Sequence, residues 1–74
     1  MAIYTIRYTA EDYQGRIYSS FYTEDTIKDA EQTFKNVCSS LRSDFYACCY
    51  CKILVTLMEG DERINAYGLS DGDD

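Results

Sequence analysis

Thr26-Ile27-Lys28-Asp29-Ala30-Glu31-Gln32-Thr33-Phe34-Lys35-Asn36-Val37-Cys38-Ser39-Ser40-Leu41 is the stretch on which the fold turns. Its apolar residues, Ile27, Ala30, Phe34, Val37, Cys38 and Leu41, recur at spacings of three and four and draw a single stripe along a helix. Thr23, Asp25 and Thr26 are each able to cap its start, and Glu24, Asp25 and Asp29 are placed where the positive end of a helix favours carboxylates. The spacing predicts a helix over 25–42, weakened in its last turn by Ser39 and Ser40 and ended by Ser43-Asp44.

Outside this stretch the period drops from 3.6 to 2. Residues 2–10 alternate with Ala2, Tyr4, Ile6 and Tyr8 on one face and Ile3, Thr5, Arg7 and Thr9 on the other, as a strand rich in β-branched and aromatic residues does. Glu11-Asp12-Tyr13-Gln14-Gly15 has turn chemistry, and 16–23 alternate again, with Ile17, Ser19 and Phe21 opposed to Tyr18, Ser20 and Tyr22. After the helix, residues 45–58 form a long, almost uncharged run that reads as a central strand, with Cys49, Cys51, Ile53, Val55 and Leu57 inward. Its reverse face carries Tyr46, Cys48, Tyr50, Lys52, Leu54, Thr56 and Met58. Glu59-Gly60-Asp61-Glu62 is a turn, and 63–69 make a last strand with Ile64 and Ala66 inward and Asn65 and Tyr67 outward.

The expected chain is therefore a single α+β domain over 1–74, composed of a hairpin (2–24), a helix (25–42), a second hairpin (45–69) and an acidic tail (70–74). One apolar stripe covers one face of one sheet, and crossover rules leave a four-stranded antiparallel sheet in spatial order 2-1-3-4 as the expected ββαββ topology. There is no proline, no internal linker and no low-complexity segment.

Composition narrows the function. Thirteen Asp and Glu against seven Lys and Arg leave a net charge of −6, so phosphate backbones and anionic membranes are repelled, and no direct nucleic-acid or membrane contact is expected. The opening residues alternate like a strand and lack the charged-then-apolar pattern of a signal peptide; the expected location is cytoplasmic. Without histidine, G-x-S-x-G or a P-loop, no catalytic residue and no cofactor are assigned. Of the four cysteines, Cys48, Cys49 and Cys51 crowd together and Cys38 stands apart, which suits reduced thiols better than a disulfide framework. Cys48 and Cys51 read C-x-x-C, but without a second pair or a histidine they are small apolar fillers rather than zinc ligands; a set of Cys38, Cys49 and Cys51 with a fourth ligand is the one metal alternative. As a redox pair they lack the helix start that activates a thioredoxin-type thiol.

Eight tyrosines remain to be explained. With one sheet face covered, Tyr18, Tyr22, Tyr46, Tyr50 and Tyr67, joined by Leu54 and Met58, are expected on the bare face as a protein-docking surface, because tyrosine buries much area at low entropic cost and keeps a polar handle. Cross-strand shielding of a thin sheet and closure of a homodimer are the alternatives. Tyr18, Tyr22, Tyr50 and Tyr67 are the candidate anchors. Glu59, Asp61 and Glu62, which join Glu24, Asp25 and Asp29 at one end of the sheet, are candidate steering charges for a basic partner; Glu11, Asp12, Asp44, Asp71, Asp73 and Asp74 gather at the other end.

In size, acidity, free thiols and the hairpin-helix-hairpin plan spanning Tyr4 to Tyr22, Thr26 to Leu41 and Tyr46 to Tyr67, the chain resembles small phage-encoded inhibitors of host defence, anti-CRISPR proteins among them. The resemblance implies a non-enzymatic protein that occupies a surface of a larger nuclease or surveillance complex, by steric docking or by nucleic-acid mimicry. It assigns no role to any single residue.

Overall fold

The computed structural model describes residues 3–71. Two hairpins flank one helix: β1 (Tyr4–Glu11), β2 (Ile17–Glu24), α1 (Ile27–Tyr46), β3 (Lys52–Glu59) and β4 (Glu62–Ser70). The strands form one antiparallel sheet in the order β2-β1-β3-β4, the α+β topology expected from the sequence. Since β2 and β3 both run antiparallel to β1, they are parallel to each other, and α1 is the crossover that carries the chain over β1.

Each local choice has a chemical cause. In the first turn Gly15 takes a φ of 88°, Gly15 N donates to Asp12 O at 3.2 Å, and the Asp12 carboxylate accepts from the Gln14 and Arg16 amides at 2.9 Å each. This three-residue loop ends in a left-handed glycine and sets Ala10 opposite Tyr18. Of the possible caps Thr26 is the one used: its side chain accepts from Asp29 N at 3.2 Å, with Asp29 completing the first turn. Gly60, at φ 59°, opens the two-residue loop between β3 and β4.

The helix runs one turn past the expected end. Phe45 follows Leu41 at the helical spacing and packs against the core, so the apolar stripe continues into a segment read as strand. The helix then closes with Cys48 N donating to Phe45 O and Cys49 N donating to Asp44 O, the paired bonds of a Schellman turn. Cys48 occupies the left-handed position at φ 65°, where glycine is usual. Residues 47–51 are thus turn and loop, and β3 begins only at Lys52, where the β-branched residues begin.

The core is Ile6 and Ala10 of β1, Ile53, Val55 and Leu57 of β3, and Ala30, Phe34 and Leu41 of α1. Ile6, Ile53, Val55 and Leu57 are at most 2% exposed, and each contributes about 1.5–3 kcal/mol by leaving water. These strand residues belong to the two central strands; β2 and β4 lie outside the helix's main footprint. No helix among the described residues is long and apolar enough to cross a membrane.

Candidate functional site

The strand register corrects the expected placement of the tyrosines. Residues directly opposed across a ladder share a face. One face carries the rows Tyr18-Ala10-Ile53-Leu69, Ser20-Tyr8-Val55-Tyr67 and Tyr22-Ile6-Leu57-Asn65, followed by Glu24-Tyr4-Glu59. That is the face packed on α1. Tyr18, Tyr22 and Tyr67, expected on the bare face, therefore lie on the helix side together with Tyr4 and Tyr8. For β2 the cause is the three-residue turn, which inverts the assumed facing of Ile17, Ser19 and Phe21 against Tyr18 and Tyr22. For β4 it is a bulge: Leu57 faces Asn65 and Met58 faces Arg63, so Ile64 is an extra residue and the alternation slips. Ile64 and Ala66 are exposed rather than inward.

Among the described residues nothing covers the opposite face, as expected, but none of the strand tyrosines points to it. Its rows are Ile17-Glu11-Lys52-Ser70, Ser19-Thr9-Leu54-Gly68 and Phe21-Arg7-Thr56-Ala66, then Thr23-Thr5-Met58. Ile17 and Phe21 are 68% and 58% exposed, and the Arg7 guanidinium lies 5.8 Å from the Phe21 ring centroid. Leu54 and Met58 are on this face, as read from the sequence.

Geometry explains why tyrosine takes the helix side. A helix about 10 Å wide cannot roof four strands spaced about 4.8 Å apart, so its flanks stay half open. A phenol there rests its ring on the helix and keeps its hydroxyl in water. The larger flank is a groove of about 480 Å³ between α1 and β2, floored by Tyr8 and Tyr22 and walled by Val37, Leu41 and Tyr50. Glu24 and Asp44 stand at its two ends. Tyr8 and Tyr22 stack with ring centroids 6.5 Å apart, and Tyr18 meets Tyr50 at 6.0 Å. Thr33 of the helix donates to the Glu24 carboxylate at 2.7 Å, tying α1 to the end of β2. Burial, with Asp44 adding to it, pushes the Tyr50 hydroxyl above its ordinary range.

Of the four candidate anchors, Tyr22 and Tyr50 line this groove and Tyr18 leans on Tyr50 from its rim. Tyr67 is separated from them, in a groove of about 340 Å³ on the other flank, with Phe34, Lys35, Cys38 and Arg42. Tyr46, also expected on the bare face, ends α1 as an exposed ring set edge-on to Phe45 at 5.4 Å. Tyr8, Val37 and Leu41, read from the sequence only as strand and helix-stripe residues, also line the groove. The signal for Tyr8 lay in Asp12-Tyr13-Gln14-Gly15, whose three-residue loop dictates the pairing that brings Tyr22 beside it.

Glu59, Asp61 and Glu62 are exposed in and around the β3–β4 turn. The register places that turn, Glu24 and the start of α1 at the same end of the sheet, so these acids do gather there. At the far end the Tyr13 hydroxyl donates to Asp71, and that bond is the chief cause pushing the phenol up to about 12. The Arg16 amide, followed by lesser donors, holds the Asp12 carboxyl below its usual range. Asp73 and Asp74, and Ala2 at the start of the first hairpin, fall outside the described residues.

The cysteines do not lie in a strand. Cys48 and Cys49 are exposed in the turn that ends α1, and Cys51 precedes β3 with its thiol donating to Asp12 O at 3.4 Å. The C-x-x-C pair thus sits at a helix C-terminus, not at the N-terminus a thioredoxin-type pair occupies. Cys38 lines the other flank, and burial pushes its thiol up. Among the described residues no group of three or more His, Cys, Asp and Glu is placed to hold a metal ion.

Neither protein-family models, nor curated proteins, nor solved structures yield a match to this chain.

Proposed function

We propose that this chain is a non-enzymatic, protein-binding inhibitor that docks through the α1–β2 groove on a nucleic-acid-handling defence complex of the kind its phage-inhibitor likeness implies, in the host-cell cytoplasm. The observation that carries the reading is the groove itself: Tyr8, Tyr22 and Tyr50 held half open over Val37 and Leu41, with carboxylates at both ends. Stacked rings already ordered by packing lose little entropy on binding, and such aromatics are the commonest anchors of protein interfaces. The carboxylates select a partner segment that presents an apolar side chain beside basic ones. A net charge of −6 and the acidic end formed by Glu24, Glu59, Asp61 and Glu62 speed the approach of a surface built to hold phosphates.

The test is cleavage of target DNA by a panel of purified CRISPR surveillance nucleases with the protein added. Inhibition of at least one is expected. Tyr22→Ala and Tyr50→Ala each weaken it by roughly 1–3 kcal/mol, while Phe21→Ala and Leu54→Ala on the opposite face do not. Absence of inhibition across the panel, or inhibition indifferent to both tyrosines, sinks the proposal.

A further inference from the structure

The hydrogen bond from Asp12 N to Arg16 O fixes the parity of the β1–β2 ladder. In an antiparallel pair, bonded and non-bonded positions alternate. With Ile6 opposite Tyr22 and Ala10 opposite Tyr18, the backbones of Tyr18, Ser20, Tyr22 and Glu24 bond to β1. Those of Ile17, Ser19, Phe21 and Thr23 point away from the sheet, with no partner among the described residues. The β2 edge is eight residues long and its register with β1 is continuous. Apart from Glu24 at its end it lacks the usual protections: no lysine, arginine or proline, and no bulge.

We infer that β2 pairs antiparallel with β2 of a second copy of this chain, about a twofold axis passing beside Ser20. In this register Ile17 faces Thr23 of the other copy and Ser19 faces Phe21, so all four outward-pointing residues find backbone partners. A shift of two residues in either direction leaves one of them unpaired. Two features outside the backbone favour the same alignment. Arg16, just before the strand, comes opposite Glu24 of the second copy, and by symmetry the reverse, so opposite charges meet at both ends of the seam although each chain is acidic overall. On the helix side, Tyr18 comes opposite Tyr22 of the second copy, while on the other face the two Phe21 rings lie diagonally across the axis, within reach of each other. An axis perpendicular to the sheet keeps both helices on one face of an eight-stranded sheet. The two α1–β2 grooves then join into a single tyrosine-lined trough between the helices, still open to a docking partner.

The test is sedimentation equilibrium of the full chain over a micromolar-to-millimolar series. The native chain is expected at twice its 8.5 kDa monomer mass. Ser19→Pro removes an outward-pointing N–H without touching the β1 ladder, and it is expected to leave a folded monomer. Arg16→Glu weakens association about tenfold by setting like charges opposite each other, and adding Glu24→Arg restores it. A native chain that stays monomeric throughout, or a dimer unmoved by both Ser19→Pro and Arg16→Glu, overturns the inference. If circular dichroism finds Ser19→Pro unfolded, the charge reversal and its rescue decide alone. The nuclease assay reads a monomer as well as a dimer, so failure of the dimer leaves the docking reading standing, and the converse holds.

Discussion

The two edges of the sheet face water differently. β4 is interrupted by the bulge at Ile64, carries Arg63, and has the outward-pointing Ala66 N–H occupied by its own neighbour, Asn65 Oδ1, at 2.8 Å. β2 has no such feature. A blunted edge resists adding strands and an open one invites them, so the difference teaches that any strand addition belongs on the β2 side. The flanks of the helix differ in the same sense. On the β2 side tyrosines lie between carboxylates, whereas on the β4 side Tyr67 lies beside Lys35 and Arg42.

The strongest way to break the comparison is proline scanning of β2. Ser20→Pro removes a ladder bond to β1 and is expected to cost about 1–3 kcal/mol from the carbonyl left without its donor, whereas Ser19→Pro, compared at a concentration where both variants are monomeric, costs well under half of that. Urea denaturation of the two variants checks the parity, and equal losses would show that it has been misassigned. Next in size is the contrast between the flanks. Tyr67, packed against the core, is expected to lose about 2–3 kcal/mol of stability on change to alanine. Tyr22, 47% exposed, is expected to lose about 1 kcal/mol while its loss damages inhibition more. A reversed order in either assay would move the functional flank to β4.

A smaller effect lies between the two hairpins. Cys48→Gly relieves a left-handed cysteine at the end of α1 and is expected to stabilise the fold by roughly 0.5–1 kcal/mol, read as a rise in melting temperature with no change of mass. The smallest concerns the Tyr13–Asp71 bond, which ties the β1–β2 turn to the chain just past β4. The folded phenol titrates above the unfolded one, so its contribution is complete below about pH 10 and disappears as the pH rises through about 12. The stability difference between native protein and Tyr13→Phe should therefore shrink to nothing over that interval, measured by chemical denaturation at successive pH values. A difference that persists above it would exclude the hydrogen bond as the cause.

Much of this architecture was legible because strong periodicity leaves few choices. The stripe of Ala30, Phe34 and Leu41 has only one buried face. Ile53, Val55 and Leu57 alternate with Leu54, Thr56 and Met58 within a run too apolar for an edge strand. The spatial order 2-1-3-4 follows from one helix joining two hairpins. The facing of β2 was not legible from alternation, since Ile17 and Phe21 are as apolar as Tyr18 and Tyr22 and either set can turn inward. Phe45 and Tyr46 suit helix and strand alike, and the last turn of α1 was decided by Phe45 finding the core four residues after Leu41.

By itself, the order of residues determined the order of the elements, the order of the strands and the acidic character of the protein, because these rest on local period, turn chemistry and charge. The tertiary structure alone decided that the tyrosines gather beside the helix rather than behind the sheet. That outcome depends on a turn length, a single inserted residue in β4 and the width of a helix laid over four strands, and these act only once the pieces are assembled.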